Sequence, residues 1–153
     1  MQISTLRESP SLISAVVHML YHEWSALPNW NDADVIRQRL NLRNAADAQT
    51  LTLVATGADG ALMATASIIH YELSDISERE FWLGEVVTAS EHRGKGLASA
   101  LVTRIIAEAR QRSIPAAWLY TPDQQALYRR SGWQDVEQRH VSHEEVTIMK
   151  LPL

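Results

Sequence analysis

Arg93-Gly94-Lys95-Gly96-Leu97-Ala98 sets paired glycines and paired cations at the junction between an apolar run and an amphipathic one. The chemistry such a junction offers is anion binding. The first amides of a helix have no internal partners, and both they and the helix dipole favour a phosphate. Glycine lets the backbone close on that anion with no side chain in the way. The run before it, Phe81 to Thr88, carries Trp82, Leu83, Val86 and Val87 and reads as a strand. The run after it repeats apolar residues at Leu97, Leu101, Ile105 and Ala109, with Ala98, Val102 and Ile106 widening the stripe, and reads as a helix.

Two common phosphate motifs do not fit these residues. A P-loop needs Ser or Thr directly after its lysine, and Gly96 follows Lys95. A dinucleotide fingerprint needs a third glycine where Ser99 stands, with an acidic residue ending a second strand and further βαβ units beyond. Neither the acid nor enough remaining chain is present.

The elements that must position this turn are legible as a series. Gln2 to Leu6 alternates as a short strand, and Leu12 to Trp24 reads as a helix capped by Ser9 or Ser11 with Pro10 near its first turn. Asp32 to Leu42 follows as a helix capped by Asn31 or Asp32. Leu51–Thr56 and Leu62–His70 form a hairpin around Ala58-Asp59-Gly60, and an acidic loop from Glu72 to Glu80 leads into the Phe81 strand. After the long helix come a strand from Ala116 to Thr121, a helix from Asp123 to Ser131 ended by Gly132, and strands from Gln134 to Val141 and Glu144 to Leu151. The order β-α-α-β-β-β-α-β-α-β-β predicts an α/β fold, a mixed sheet with helices on both faces.

At 153 residues the chain is expected to form one domain spanning 1–153, with an ordinary 46% hydrophobic and 21% charged content. A net charge of −4 argues against nucleic-acid binding. No apolar run approaches membrane-spanning length and the N-terminus shows no signal-peptide pattern, so a cytoplasmic location is expected. With Cys 0, thiolate zinc sites and a cysteine nucleophile are excluded. An acyl-transfer enzyme of this sequence would therefore transfer directly, in a ternary complex.

Arg93-Gly94-Lys95-Gly96-Leu97-Ala98, read as R-x-x-G-x-A behind Glu85-Val86-Val87-Thr88, resembles the pyrophosphate loop and central strand of the GNAT acetyltransferases. Ala126-Leu127-Tyr128-Arg129-Arg130-Ser131-Gly132-Trp133 is similar to that family's A-x-x-Y-x-x-x-G-aromatic signature. The element order matches over essentially the whole chain. The resemblance implies acetyl-CoA as cosubstrate, with amides from Gly94 to Ala98 on its pyrophosphate and the backbone of Val87 and Thr88 on its pantetheine arm. It implies Tyr128 as the acid that protonates the leaving thiolate, and a backbone N–H near Val87 for the oxyanion. It also implies a primary amine on a small molecule or peptide N-terminus as acceptor, and a homodimer through the last strands. Asp123 departs from the pattern, since many relatives carry a cofactor-touching asparagine there; an aspartate could still cap the helix. The string from Thr121 to Gln134 is similar to a branch that includes acetyltransferases of the actin N-terminus, though nothing else in the chain extends that substrate to it.

Read from residues alone, Tyr128 is a core tyrosine with its hydroxyl at the surface, and only the signature makes it an acid. Glu85 is the candidate base. Alternation places it on one face with Phe81, Leu83 and Val87, where a carboxylate is costly unless it is used or paired with an arginine. Arg93 and Lys95 are expected to meet phosphates. Trp24 and Trp30, with Asp32, Asp34, Glu144 and Glu145, would suit an ammonium-bearing acceptor, or would simply pack and solvate. His18 and His22 stand four apart on one helix, yet no third ligand is suggested, and no metal is expected. A non-catalytic acyl-CoA-binding module is the alternative function.

Overall fold

The computed structural model describes residues 1–73 and 75–153. Its seven strands, β1 (Gln2–Thr5), β2 (Leu51–Thr56), β3 (Leu62–His70), β4 (Phe81–Thr88), β5 (Ala116–Thr121), β6 (Gln134–Val141) and β7 (Glu144–Pro152), form one sheet in the order β1-β2-β3-β4-β5-β7-β6. Every neighbouring pair is antiparallel except β4 and β5, whose parallel pairing is confined to Trp82↔Trp118. Beyond that point the two strands part, and the sheet opens in its middle.

Among the described residues four α-helices cover the sheet: α1 (Ile13–Trp24), α2 (Ala33–Arg43), α3 (Leu97–Gln111) and α4 (Gln125–Arg130). The stripe Leu97, Leu101, Val102, Ile105, Ile106 and Ala109 of α3 is buried on a cluster that includes Leu53, Ala66, Phe81, Leu83 and Leu119. On the other face, Val16, Val17 and Leu20 of α1 and Ile36 and Leu40 of α2 pack with Val54 and Val87. A fully buried Leu, Ile or Val side chain contributes about 1.5–3 kcal/mol, so these two clusters clamp the helices to the sheet.

Local signals explain most of the boundaries. Asp32 caps α2, its Oδ1 accepting from the amides of Asp34 and Val35 at 2.9 and 3.4 Å. The β2–β3 turn closes as expected, with Gly60 at φ 80 and Asp59 accepting from the Ala61 amide. Two helix starts differ from expectation. Pro10–Leu12 forms a separate 3-10 turn, α1 begins at Ile13, and the Ser9 hydroxyl meets Ser4 rather than an α1 amide. Asp123 does not cap α4: Gln124 is the capping position, and the Thr121 hydroxyl accepts from the Gln124 amide at 3.0 Å.

Candidate active site

The site begins where β4 runs into α3. Gly94 and Gly96 both adopt left-handed φ, 78 and 77, and a Cβ built at either position meets nothing within 4 Å. Gly96 is the N-cap of α3 and supplies no side-chain cap, so the first-turn amides face outward with their donors unused by any cap. Val87, Thr88, Arg93, Gly94, Gly96, Leu97, Ala98 and Asp123 are among the residues that wall a cavity of about 650 Å³. The uncapped start of α3 thus borders a concave surface, an arrangement that favours an anion. The Arg93 guanidinium turns back to the Thr88 carbonyl at 3.3 Å and to Glu23 at 3.8 Å. Lys95 lies outside this wall, with its Nζ 3.1 Å from His92 Nδ1. Their expected contact with phosphate would need both to swing inward.

A second cavity, of about 460 Å³, adjoins the first through Val86, Ala98 and Gln124, which wall both. The gap between β4 and β5 opens between them. Tyr128 on α4 reaches this cavity with its ring half-buried and set edge-on to the Trp133 ring, at 5.9 Å and 67°. Burial pushes its phenol pKa up, so the hydroxyl keeps its proton. Trp24 and Trp30 also wall the cavity, their rings tilted at 51° to one another with centroids 4.9 Å apart. Glu144 contributes a carboxylate from the β6–β7 side, whereas Glu145 lies away from the wall. The sequence-predicted residues that the fold thus gathers in this cavity are Tyr128, Glu85, Trp24, Trp30 and Glu144.

Glu85 is in the cavity wall, but its surroundings differ from expectation. Opposite β3 the register shifts between Thr65 and Ser67, and Glu85 takes φ 54. This bulge reverses the alternation. Phe81, Leu83 and Val86 pack toward α3, while Val87 packs toward α1 and α2. Glu85 therefore does not share the face of Phe81 and Leu83; it meets Arg43 of α2. Both its oxygens accept from that guanidinium, at 2.7 and 3.0 Å, and both side chains are buried. A bidentate pair of this kind occupies the lone pairs a base would use.

Sequence reasoning missed two groups in this cavity. Tyr120 of β5 and Glu72 of the β3–β4 connection both line it, with the Tyr120 hydroxyl donating to Glu72 Oε1 at 3.4 Å. Burial and the carboxylates of Glu72, Glu85 and Glu144 raise the Tyr120 phenol. Burial is the main cause that lifts Glu72 to about 7, aided by Glu85 and opposed by Arg43 and the Tyr120 hydroxyl. Gly84 was the available signal, a glycine inside an otherwise bulky strand where something approaches closely.

His18 and His22 stack at 6.2 Å on the exposed face of α1, and no group of three or more metal-binding side chains gathers among the described residues. No helix among them is long and apolar enough to cross a membrane.

Residues 14–133 match the acetyltransferase (GNAT) family model. No curated protein matches the chain. Among solved structures, a ribosomal-protein-alanine N-acetyltransferase from Brucella melitensis superposes with a TM-score of 0.80 at 19% identity, covering 100% of both chains. An aminoglycoside 6'-N-acetyltransferase complexed with coenzyme A gives 0.74 at 15% identity, covering 99% of this chain and 97% of that one. A spermidine N-acetyltransferase from Vibrio cholerae gives 0.71 at 16%, covering 99% and 95%. At these identities the likeness is one of fold.

Proposed function

Because the chain belongs to the GNAT acetyltransferase family, we propose that it moves an acetyl group from acetyl-CoA to a primary amine by direct attack in a ternary complex. The observation that carries this reading is the meeting of two cavities at the β4–β5 split. One is lined by the free amides of an α3 N-terminus, the other by Tyr128 and carboxylates.

Acetyl-CoA supplies an activated thioester carbonyl; the chain's own residues do the rest. Amides from Gly94 to Ala98 hold the pyrophosphate, and the unpaired edge of Val87 and Thr88 takes the pantetheine arm as an added strand. Gly94 and Gly96 fit this role, since no side chain intrudes on the cradle. Backbone N–H groups near Val87, beside the bulge, are donors for negative charge on the carbonyl oxygen. Tyr128 keeps its proton at neutral pH and delivers it to the departing sulfur. The acceptor reaches the second cavity as an ammonium, drawn by Glu72 and Glu144 and packed against Trp24 and Trp30. A small-molecule amine and a peptide N-terminus both satisfy that chemistry. Glu85, first expected to be the base, is better suited to fixing the bulge through Arg43.

The test is a calorimetric titration with acetyl-CoA, run beside a CoA fragment lacking the adenosine-diphosphate portion. Micromolar binding that requires that portion supports the cradle. In Tyr128→Phe we expect turnover to drop by about 10²–10⁴ with acetyl-CoA affinity unchanged. Binding without any transfer to amines would point instead to a non-catalytic acyl-CoA-binding module.

A further inference from the structure

We propose that Glu72 is the group that accepts the proton from the acceptor's ammonium, a role that rests on the acetyltransferase reading above. The carboxylate sits between β3 and β4 and walls the same cavity as Tyr128, Trp24 and Trp30. Its Oε1 is held by the Tyr120 hydroxyl, while Oε2 is buried with no hydrogen-bond partner among the described residues. A Cβ at residue 84 would overlap Oε2, so the glycine of β4 is what leaves room for the carboxylate. Burying an unpaired carboxylate oxygen is costly, and a fold that makes space for one keeps a vacant proton site.

The charged and titratable neighbours fit the role. Glu85 faces Glu72 from β4, Tyr120 from β5 and Arg43 from α2, with Glu144 of β7 acting on Tyr120. Arg43 is already committed to Glu85 in a bidentate pair, so Glu72 is left without a cation of its own. The resulting value of about 7 matches a base working near neutral pH.

The protons balance in four transfers. Glu72 removes one proton from the ammonium, and the freed nitrogen lone pair forms the N–C bond at the acetyl carbonyl carbon. The C–S bond breaks, and Tyr128 gives its hydroxyl proton to the sulfur. The second proton lost by the nitrogen restores the Tyr128 hydroxyl. Glu72 then passes its proton to water, so one proton is released per acetyl group transferred.

Glu72→Gln tests this directly, because the amide mimics the neutral carboxyl and should leave the fold intact. With carboxyl-labelled glutamate, the carbon resonance absent from Glu72→Gln is expected to titrate near 7 in the wild type. A midpoint in the ordinary carboxylate range, near 4.5, would overturn the proposal. Thermal unfolding gives a second reading with no substrate. A carboxyl raised in the folded state stabilises below its unfolded pKa and loses that contribution as pH rises through the folded one. The wild-type melting temperature should therefore fall, relative to Glu72→Gln, between about pH 4.5 and 7 and then level off. For catalysis, acetyl-CoA and excess tryptamine serve as probes. We expect kcat/KM at pH 8 to drop by about 10²-fold or more in Glu72→Gln, and its limb near pH 7 to vanish. Transfer with an unchanged limb overturns the role of Glu72 alone. Failure of the wild type to bind acetyl-CoA, or to acetylate any amine it is offered, overturns the acetyltransferase reading beneath it.

Discussion

The proposed cofactor cradle and the proposed acceptor cavity share wall residues, yet they are built in opposite ways. Most of the cradle comes from one continuous stretch, Val86 to Ser99, in which a strand end, two left-handed glycines and a helix start follow one another. The acceptor cavity draws on the first inter-helix segment, the β3–β4 connection, the β4 bulge, β5, α4 and the last hairpin. A cradle built locally needs only correct backbone conformation. A cavity built from distant segments needs the global packing that brings them together, and its chemistry depends on which groups pair first. Arg43 pairs with Glu85, and the carboxylate left over is Glu72.

That contrast can be broken most forcefully at the long-range pair. Glu85→Gln leaves a buried guanidinium without its counter-charge, and we expect a loss of about 3–5 kcal/mol in denaturant-induced unfolding. An unfolding midpoint equal to the wild type's would mean that the acceptor side is not tied to the global fold. A cradle substitution should behave differently. Gly96→Val forces a branched side chain into φ 77, at a local cost of about 1–2 kcal/mol, and covers the amides. Affinity for acetyl-CoA should drop about 10–100-fold while acceptor binding is kept; loss of both would deny that the cradle is self-contained. The smallest expected effect is at Trp30, half-buried and tilted against Trp24 with the Arg39 guanidinium 4.7 Å from its ring centroid. Trp30→Ala should raise the acceptor KM about tenfold and leave kcat nearly unchanged, because the contact is made equally in ground and transition states. A kcat effect as large as that of Tyr128→Phe would move Trp30 into the reacting centre.

What sequence reasoning reached follows the same division. Asp32 as a cap, the Asp59-Gly60 turn and the β4–α3 junction were legible because each depends on residues within a few positions of one another. The face of Glu85 was not. A single bulged residue shifts the register by one, and alternation carries that error into every side-chain assignment that crosses it. The start of α4 moved for a similar reason, since the Thr121 hydroxyl reaches the Gln124 amide from the strand end and displaces Asp123 as the cap.

The order of elements, the paired-glycine turn into α3 and the place of Tyr128 on its helix were therefore determined by the sequence itself, through short-range hydrogen bonding and hydrophobic periodicity. Which carboxylate is left without a cation was decided only by the tertiary structure. Glu72 and Glu85 have the same intrinsic chemistry. One is buried against Gly84 without a cation, and the other is buried against Arg43 with both oxygens paired. The packing of α2 and of the β3–β4 connection against β4 sets that difference, and it cannot be read along the chain.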